Sequence, residues 1–321
     1  MDKDVIAVVD YHDFISDDSN KRNAFIKSFG DSFSNMGFAI VKNHGVTNGL
    51  RNDLLNVSKA FFELPTDVKK QYENIALAGQ RGYVSKNRES AKGQSVPDIK
   101  EFFHIGQTVL DNDPIKDEYP DNIWPKEVDA FKTICEKVYN TFEQTGKNLL
   151  KAVALYLQLP ENYFNDKVHN GNSILRLLHY YPVANLQDIP EGAVRAAAHG
   201  DINLITLLMG GSADGLEAQT LAGKWIPVSP KDDEIVINIG DMLARLTNNR
   251  FRSTQHRVIT PEPESWKSPR FSAPFFLHPR SSMDLTCLDT CISQGNPKSY
   301  ENLTAGEFLT ERLIELGLKK S

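Results

Sequence analysis

The second half of the chain is a succession of short apolar segments separated by turn residues, and this pattern restricts the fold most strongly. From residue 173 onward the strand-like segments include SILRLLHYYPV, INLITLLMGG, KWIPVSP, EIVINIG and RFSAPFFLHP. The tetrapeptide LAGK at 221–224 is a good hairpin turn between two of them. Many short strands at regular spacing predict a β-sandwich or a β-barrel.

The first half mixes helices and strands. The segments RNAFIKSFGDSFSNMG and NGLRNDLLNVSKAFFELP carry apolar residues at helical spacing, and FAIVKNHG between them is strand-like. A long amphipathic helix is predicted from Trp124 to Leu159, backing a sheet, and a final helix at Ala305–Leu318. Since there is no repeat or clear linker, residues 1–321 are expected to form one compact unit. The predicted fold class is mainly β with flanking helices and a mixed α/β N-terminal region.

The composition argues against several kinds of partner. The net charge is −6 and there is no long basic run, which argues against nucleic acid and anionic membranes. No stretch of about 18 apolar residues predicts a membrane span, and the acidic N-terminus does not resemble a secretory signal. Three cysteines are too few for a disulfide framework and indicate a reducing compartment. We expect a cytoplasmic protein, and the oligomeric state stays open.

His199 and Asp201 stand two positions apart in the apolar stretch AAAHGDINLITLL. If this stretch is a strand, both side chains point to the same side. His256, in the strand-like RSTQHRVI, is the best candidate for a third ligand. Two histidines and one carboxylate leave other positions on a metal open, which suits Fe(II) in an enzyme that uses O2. A single histidine in a strand is more often a hydrogen-bonded core residue, so the pattern needs support from elsewhere.

That support comes from Arg270 and Ser272, which again stand at positions i and i+2. A guanidinium beside a hydroxyl is suited to a carboxylate. Taken alone, the pair would be better explained by an exposed arginine on a barrel rim. The order His-x-Asp, distal His, then Arg-x-Ser, all in strand-like segments, favours one functional site.

With these motifs the chain resembles the isopenicillin N synthase-like family of Fe(II)- and 2-oxoglutarate-dependent dioxygenases. The family pattern is matched by HGD at 199–201, QHRVI around 256 and RFS at 270–272. Flanking segments match as well, among them LRLLHYYP, INIGDMLARLTNNRFRST, GFAIVKNHGV and AFFELPTDVKKQY, so the resemblance covers nearly the whole chain. The chain departs from the pattern at Gly200, where a larger residue is common, and at His179, where plant members often carry Asn. The latter favours a bacterial-type member.

The resemblance implies a double-stranded β-helix (jelly-roll) core over residues 173–289, preceded by the family's N-terminal region at 1–120. It implies that Fe(II) is bound by His199, Asp201 and His256. It also implies that 2-oxoglutarate is bound by Arg270, Ser272 and Tyr181, with Tyr180 pointing to the opposite face.

The activity implied is oxidation, most often hydroxylation, of an unactivated C–H bond of a small-molecule metabolite. O2 and 2-oxoglutarate would be consumed, and succinate and CO2 released. Two alternatives remain at this stage. One is an oxidase or cyclase like isopenicillin N synthase, which uses O2 without 2-oxoglutarate and binds its substrate carboxylate through Arg-x-Ser. The other is a non-catalytic binding protein on the same fold.

The substrate cannot be deduced from the sequence. Candidate pocket residues flank the motifs or lie in the polar segment from Gln80 to Ile105, and packing in the core is an equally good explanation for each. They are Arg81, Tyr83, Phe103, His104, Leu177, Leu204 and Phe276.

Overall fold

Two β-sheets enclose an apolar interior. The computed structural model describes residues 4–86, 99–189, 194–209, 214–260 and 262–315. The strands of the larger sheet are β1 (Ala7–Asp10), β2 (Phe38–Lys42), β3 (Gly82–Val84), β4 (Glu101–Gly106), β5 (Ile174–Tyr180), β7 (Ile205–Met209), β10 (Glu234–Ile239) and β12 (Arg270–Leu277). Those of the smaller sheet are β6 (Ala196–His199), β8 (Leu216–Gln219), β9 (Trp225–Pro227) and β11 (His256–Val258).

The larger sheet has the order β1-β2-β10-β7-β12-β5-β4-β3, and the smaller sheet has the order β6-β11-β8-β9. Apart from the parallel pair β1–β2, the pairings are antiparallel. The predicted jelly-roll core with flanking helices is confirmed. Four strands of the larger sheet come from the N-terminal third of the chain, so the core is not built from residues 173–289 alone.

Helices cover the outer face of the larger sheet. They are α1 (Tyr11–Phe14), α2 (Ser19–Asn35), α3 (Asn48–Phe62), α4 (Thr66–Lys70), α5 (Phe131–Tyr156), α6 (Asn165–Val168), α7 (Asp241–Leu246) and α8 (Ala305–Glu315). Short 3-10 turns lie at Ile75–Leu77, Lys116–Glu118, Leu186–Asp188, Pro263–Lys267 and Asp289–Cys291.

Helix α5 is the predicted long helix, but it begins at Phe131 instead of Trp124. Ala130 adopts a left-handed conformation (φ +60°), which interrupts the helix at this point. Gly146 allows α5 to lie close to the sheet, because a Cβ there would come within 2.3 Å of Leu277 Cδ1. The final helix ends at Glu315, and the last residues predicted for it lie outside the described part of the chain.

The helices, the larger sheet and the smaller sheet form successive layers, with an apolar cluster between each neighbouring pair. The larger cluster lies between the larger sheet and the helices and is rich in phenylalanine. The smaller cluster lies between the two sheets and includes Phe38, Leu178, Tyr180, Ala218 and Val258. Alternation along each strand therefore decides whether a side chain faces the helices or the interior of the jelly roll. All three cysteines are free and buried. In the described ranges, none of the helices is both long enough and apolar enough to cross a bilayer.

Candidate metal and cosubstrate site

Three possible metal ligands converge inside the jelly roll. His199 ends β6, His256 begins β11, and the two residues are directly opposite each other in the antiparallel pair. Asp201 Oδ1 lies 4.0 Å from His199 Nε2 and 3.8 Å from His256 Nε2, and the three donor atoms lie within 4.8 Å of one another. The grouping predicted from the sequence is present. The expectation that one strand carries both His199 and Asp201 was wrong, because β6 ends at His199.

Asp201 is held in place by its neighbours rather than by a strand. Its Oδ2 accepts hydrogen bonds from Thr206 Oγ1 (2.5 Å) and Asn238 Nδ2 (2.7 Å), and its backbone carbonyl accepts one from the Asp241 amide (2.7 Å). Thr206 and Asn238 lie on adjacent strands, β7 and β10, and face the interior. These bonds leave Oδ1 directed toward the two imidazoles.

Both histidines are oriented in the same way. The Nδ1 atom of His199 lies 2.7 Å from the Ala197 carbonyl, and that of His256 lies 3.1 Å from the Thr254 carbonyl. Because a carbonyl can only accept, Nδ1 carries a proton in each ring, and Nε2 is the nitrogen that is directed at the centre and that binds a metal when the ring is neutral. Two imidazole nitrogens and a carboxylate oxygen therefore face one another as electron-pair donors. This donor set fits Fe(II) with open coordination positions.

The electrostatics keep these groups in their metal-binding forms. Burial alone would raise the pKa of Asp201, but the two imidazoles and the hydrogen bonds from Asn238 and Thr206 lower it. The pKa of His199 is lowered to about 4, chiefly because the ring lies deep in the jelly roll and beside His256. The His199 side chain nevertheless keeps 41% of its surface exposed to solvent. Near neutral pH the carboxylate is charged and this imidazole is neutral, as metal binding requires.

Arg270 and Ser272 lie on β12 and share the interior face, as predicted. Arg270 is buried, and its guanidinium carbon lies 5.1 Å from the centre of the Tyr180 ring, with which it also forms a side-chain hydrogen bond. Tyr180 is directly opposite Arg270 in the β5–β12 pair. The prediction that Tyr180 points away from Arg270 was wrong.

Tyr181 follows the end of β5, and its ring lies 4.0 Å from Lys86 Nζ. The pKa of its phenol is raised by burial and by the carboxylate of Glu101, which faces the helices. The alternation along β5 was correctly expected, but the sequence did not show which of the two tyrosines is paired with Arg270. In the structure Tyr180, and not Tyr181, lies beside Arg270.

Most of the candidate substrate residues do not face the interior of the jelly roll, where the metal ligands lie. Tyr83, Phe103, Leu177 and Leu204 belong to the cluster between the larger sheet and the helices. Arg81 is fully buried and donates a hydrogen bond to Gln107 Oε1 (2.8 Å). These five residues are core residues.

The other two candidates, His104 and Phe276, do lie at the interior. They surround Arg176, a residue that the sequence analysis missed. Thr206 and Asn238 were missed as well. The signal that could have found them is an isolated polar residue inside an otherwise apolar strand, as in β5, β7 and β10, once the register was known.

Comparisons with known proteins agree with this geometry. The family model for the non-haem dioxygenase in morphine synthesis N-terminal region matches residues 6–127, and that of the 2OG-Fe(II) oxygenase superfamily matches residues 171–279. The chain is 32% identical to the proline hydroxylase buaE of Petromyces alliaceus, over 96% of this chain and 98% of that protein. The chain belongs to the 2OG-Fe(II) oxygenase superfamily.

Solved structures of the superfamily superpose on nearly the whole chain. A putative 2OG-Fe(II) oxygenase family protein from Caulobacter crescentus is 41% identical with a TM-score of 0.87, covering 97% of this chain and 99% of that one. A full-length Neurospora crassa protein in complex with alpha-KG, which is 2-oxoglutarate, is 30% identical with a TM-score of 0.86, covering 98% and 97%. This oxygenase is therefore an Fe(II)- and 2-oxoglutarate-dependent dioxygenase that uses O2.

Proposed function

We propose that this dioxygenase hydroxylates a C–H bond of a small molecule, with Fe(II) held by His199, Asp201 and His256. The observation that carries the proposal is the convergence of three electron-pair donors within 4.8 Å inside the jelly roll. When bound, the iron supplies the activation of O2 that is coupled to decarboxylation of 2-oxoglutarate. Thr206 and Asn238 hold the carboxylate of Asp201 so that one oxygen faces the metal.

Arg270, Ser272 and Tyr180 are proposed to bind the distal carboxylate of 2-oxoglutarate. The guanidinium is planar and offers paired donors that match a carboxylate. Tyr180 fixes the guanidinium from the opposite strand, and Ser272 adds a hydroxyl on the same face of β12. The charge on Arg270 is buried, so its attraction for a carboxylate is weakly screened.

A small-molecule substrate is supported by what the relatives act on or bind. One relative is named a proline hydroxylase, and the Neurospora crassa protein has been solved with thymine and with 5-formyluracil. These compounds are all small and polar. Hydroxylation is proposed over desaturation or ring closure because the named hydroxylase is similar over almost the full length of the chain.

The test is succinate formation by the purified protein, loaded with Fe(II) and supplied with 2-oxoglutarate and a panel of amino acids and nucleobases. We expect formation that depends on both iron and 2-oxoglutarate and increases with one class of substrate, together with a product 16 mass units heavier. O2 uptake that is indifferent to 2-oxoglutarate would contradict the proposal and favour the oxidase alternative. Stoichiometric 2-oxoglutarate binding with no turnover would favour the binding-protein alternative.

A further inference from the structure

Arg195 is a buried arginine that joins the two sheets at the end of β12 where Arg270 lies. It immediately precedes β6, the strand of the smaller sheet that ends at His199. Its Nη2 donates hydrogen bonds to the backbone carbonyls of Ser265 (2.7 Å) and Ser268 (3.0 Å). Both carbonyls belong to the turn that leads into β12 of the larger sheet. Arg195 therefore ties the start of β6 to the start of β12.

The turn that Arg195 holds determines where β12 begins. Ser268 precedes Arg270 by two residues, which is at most about 7 Å of chain. In the same turn, the Trp266 carbonyl accepts a hydrogen bond from the Val183 amide (2.9 Å), just beyond the end of β5. The centre of the Trp266 ring lies 5.9 Å from the guanidinium carbon of Arg195. The turn is thus fixed from both sheets, and Arg195 helps to set the position from which Arg270 enters the site.

Arg195 also brings a second positive charge near Arg270. Burial, and then the positive charge of Arg270, lower the pKa of Arg195, whereas Tyr180 raises it. Tyr180 acts in the same direction on the pKa of Arg270, which burial lowers. One phenol is therefore within electrostatic range of both guanidinium groups. Because a guanidinium stays protonated in proteins, this end of the jelly roll carries two buried positive charges.

The charge of Arg195 is not balanced by an ion pair within the described ranges. There its hydrogen-bond acceptors are the two backbone carbonyls, and none of the carboxylates forms an ion pair with it. Asp214, the acidic group that acts on Arg270, is exposed, so solvent screens its charge. A buried cation without a carboxylate partner favours an anion bound nearby.

We propose that Arg195 is a positioning residue for 2-oxoglutarate and makes the site selective for a 2-oxo acid that has a second carboxylate. It holds the turn from which Arg270 starts, and its positive charge attracts the distal carboxylate from a distance. The inference rests on the proposed function, in which Arg270 binds that carboxylate. It adds that a residue beside the strand of His199 helps to set the preference for a dicarboxylic cosubstrate.

The test compares two acids that differ only in the distal group. The full chain is loaded with Fe(II) under anaerobic conditions, and the dissociation constants of 2-oxoglutarate and 2-oxovalerate are measured by calorimetry. In 2-oxovalerate a methyl group replaces the distal carboxylate. The variants are Arg195→Gln and Arg195→Lys, and the melting temperature of each is recorded. The matched control is Arg252→Gln, because Arg252 is also a partly buried arginine that donates to a backbone carbonyl, that of Asn35 (2.6 Å), elsewhere in the fold.

We expect Arg195→Gln to weaken 2-oxoglutarate binding by roughly five- to thirtyfold, as for unit charges about 8–15 Å apart at an effective dielectric constant of about 20. The affinity for 2-oxovalerate should change by less than about twofold, since this acid has no distal charge to attract. Arg195→Lys keeps the charge but lacks the planar fork, so it should weaken 2-oxoglutarate alone by about two- to fivefold. Arg252→Gln should leave the preference for 2-oxoglutarate over 2-oxovalerate as it is in the wild type.

Two results would overturn the proposal. Equal weakening of both acids in Arg195→Gln would show that Arg195 only maintains the fold, and an unchanged affinity for 2-oxoglutarate would show that it has no part in the site. If Arg195→Gln does not fold, Arg195→Lys is judged by the same two criteria.

The Arg270→Ala variant, measured in parallel, separates this inference from the proposed function. If Arg270→Ala loses 2-oxoglutarate affinity while the Arg195 variants keep it, the inference fails and the function stands. If the wild type itself does not bind 2-oxoglutarate, the proposed function fails and the inference fails with it.

Discussion

Two buried polar clusters lie on opposite sides of the larger sheet, and both contain a carboxylate and at least one histidine. On the helix side, Glu101 Oε1 accepts from His179 Nδ1 (2.8 Å) and Lys69 Nζ (3.0 Å). Its Oε2 accepts from Lys69 Nζ (2.8 Å) and from the Tyr83 hydroxyl. On the interior side, Asp201 Oδ1 faces two imidazole nitrogens at 3.8 Å and 4.0 Å, beyond hydrogen-bond distance.

The difference between them separates a structural cluster from a functional one. Around Glu101 a negative charge meets an ammonium, a hydroxyl and a ring N–H, so the lone pairs are satisfied within the protein. Around Asp201 the atoms that face one another are all electron-pair donors. Such an arrangement fits a cation, and binding of a metal there adds to the stability of the folded protein. Residue types alone do not distinguish the two clusters, whereas hydrogen-bond directions do.

Removing the carboxylate of the interior cluster should have the largest effect. Asp201→Ala should lower iron affinity and succinate formation by more than about a hundredfold, which exceeds the loss typical of an outer-shell partner. The apo-protein should also lose some stability, because the buried Asn238 amide loses its acceptor. Iron is measured by colorimetric chelation, with the exposed Asp232→Ala as the control. Full iron stoichiometry in Asp201→Ala would refute the triad.

Breaking the helix-side cluster should reduce stability instead of iron binding. Lys69→Met leaves the buried Glu101 without its ammonium partner, and loss of one member of a buried pair costs about 3–5 kcal/mol of the free energy of unfolding. Urea unfolding measures it. The surface pair Lys27–Asp31 supplies the control, and Lys27→Met should leave the unfolding midpoint nearly unchanged. If Lys69→Met lost iron affinity and kept its stability, the helix-side cluster would be functional and not structural.

The same cluster predicts a dependence of stability on acid. Burial tends to raise the pKa of Glu101, but hydrogen bonds from His179, Lys69 and Tyr83 lower it from 4.5 to about 2. A folded-state pKa below the unfolded value stabilises the protein above pH 4.5, and this contribution disappears as the pH falls toward 2. The full contribution is about 3 kcal/mol. The stability difference between wild type and Glu101→Gln should therefore shrink between about pH 6 and pH 3. A constant difference across that range would argue against a charged Glu101.

On the interior face, Arg270→Ala should raise the apparent KM for 2-oxoglutarate by roughly ten- to a hundredfold, because a buried charged hydrogen bond is lost. Arg270→Lys should recover only part of this, since an ammonium lacks the planar fork. Iron affinity should stay unchanged in both variants. Steady-state succinate formation at varied 2-oxoglutarate gives the values. A KM equal to that of the wild type would remove Arg270 from the cosubstrate site.

The smallest expected change in KM distinguishes the role of Tyr180 from that of Tyr181. Tyr180→Phe removes a hydroxyl beside Arg270 and should raise the KM for 2-oxoglutarate by about two- to tenfold, the range of a neutral hydrogen bond. Tyr181→Phe should leave this KM unchanged, because its ring lies beyond the end of β5. The opposite ranking would restore the assignment made from the sequence.

What the sequence could and could not predict follows from distance along the chain. The triad and the Arg-x-Ser pair could be predicted because a few residue types in a fixed order carry the signal. The pairing of Tyr180 with Arg270 depends on the register between β5 and β12, which is set by contacts across about 90 residues. A one-residue change of face also explains why Phe103 and Leu177 were chosen where Phe102 and Arg176 face the interior. The support of Asp201 by Asn238 spans 37 residues and leaves no local pattern.

Strand β2 has a consequence for how the protein is made. It pairs with β10, so that Lys42 lies opposite Glu234, and its Phe38 packs edge-on against His256 at 5.7 Å between ring centres. Translation at about 5–20 residues per second takes roughly 10–40 s to proceed from the first of these strands to the second. During that time β2 leaves the ribosome without the strand it will pair with. We therefore expect the nascent chain to complete its metal-binding centre only near the end of synthesis, at a stage when its N-terminal third depends on chaperones to stay unaggregated.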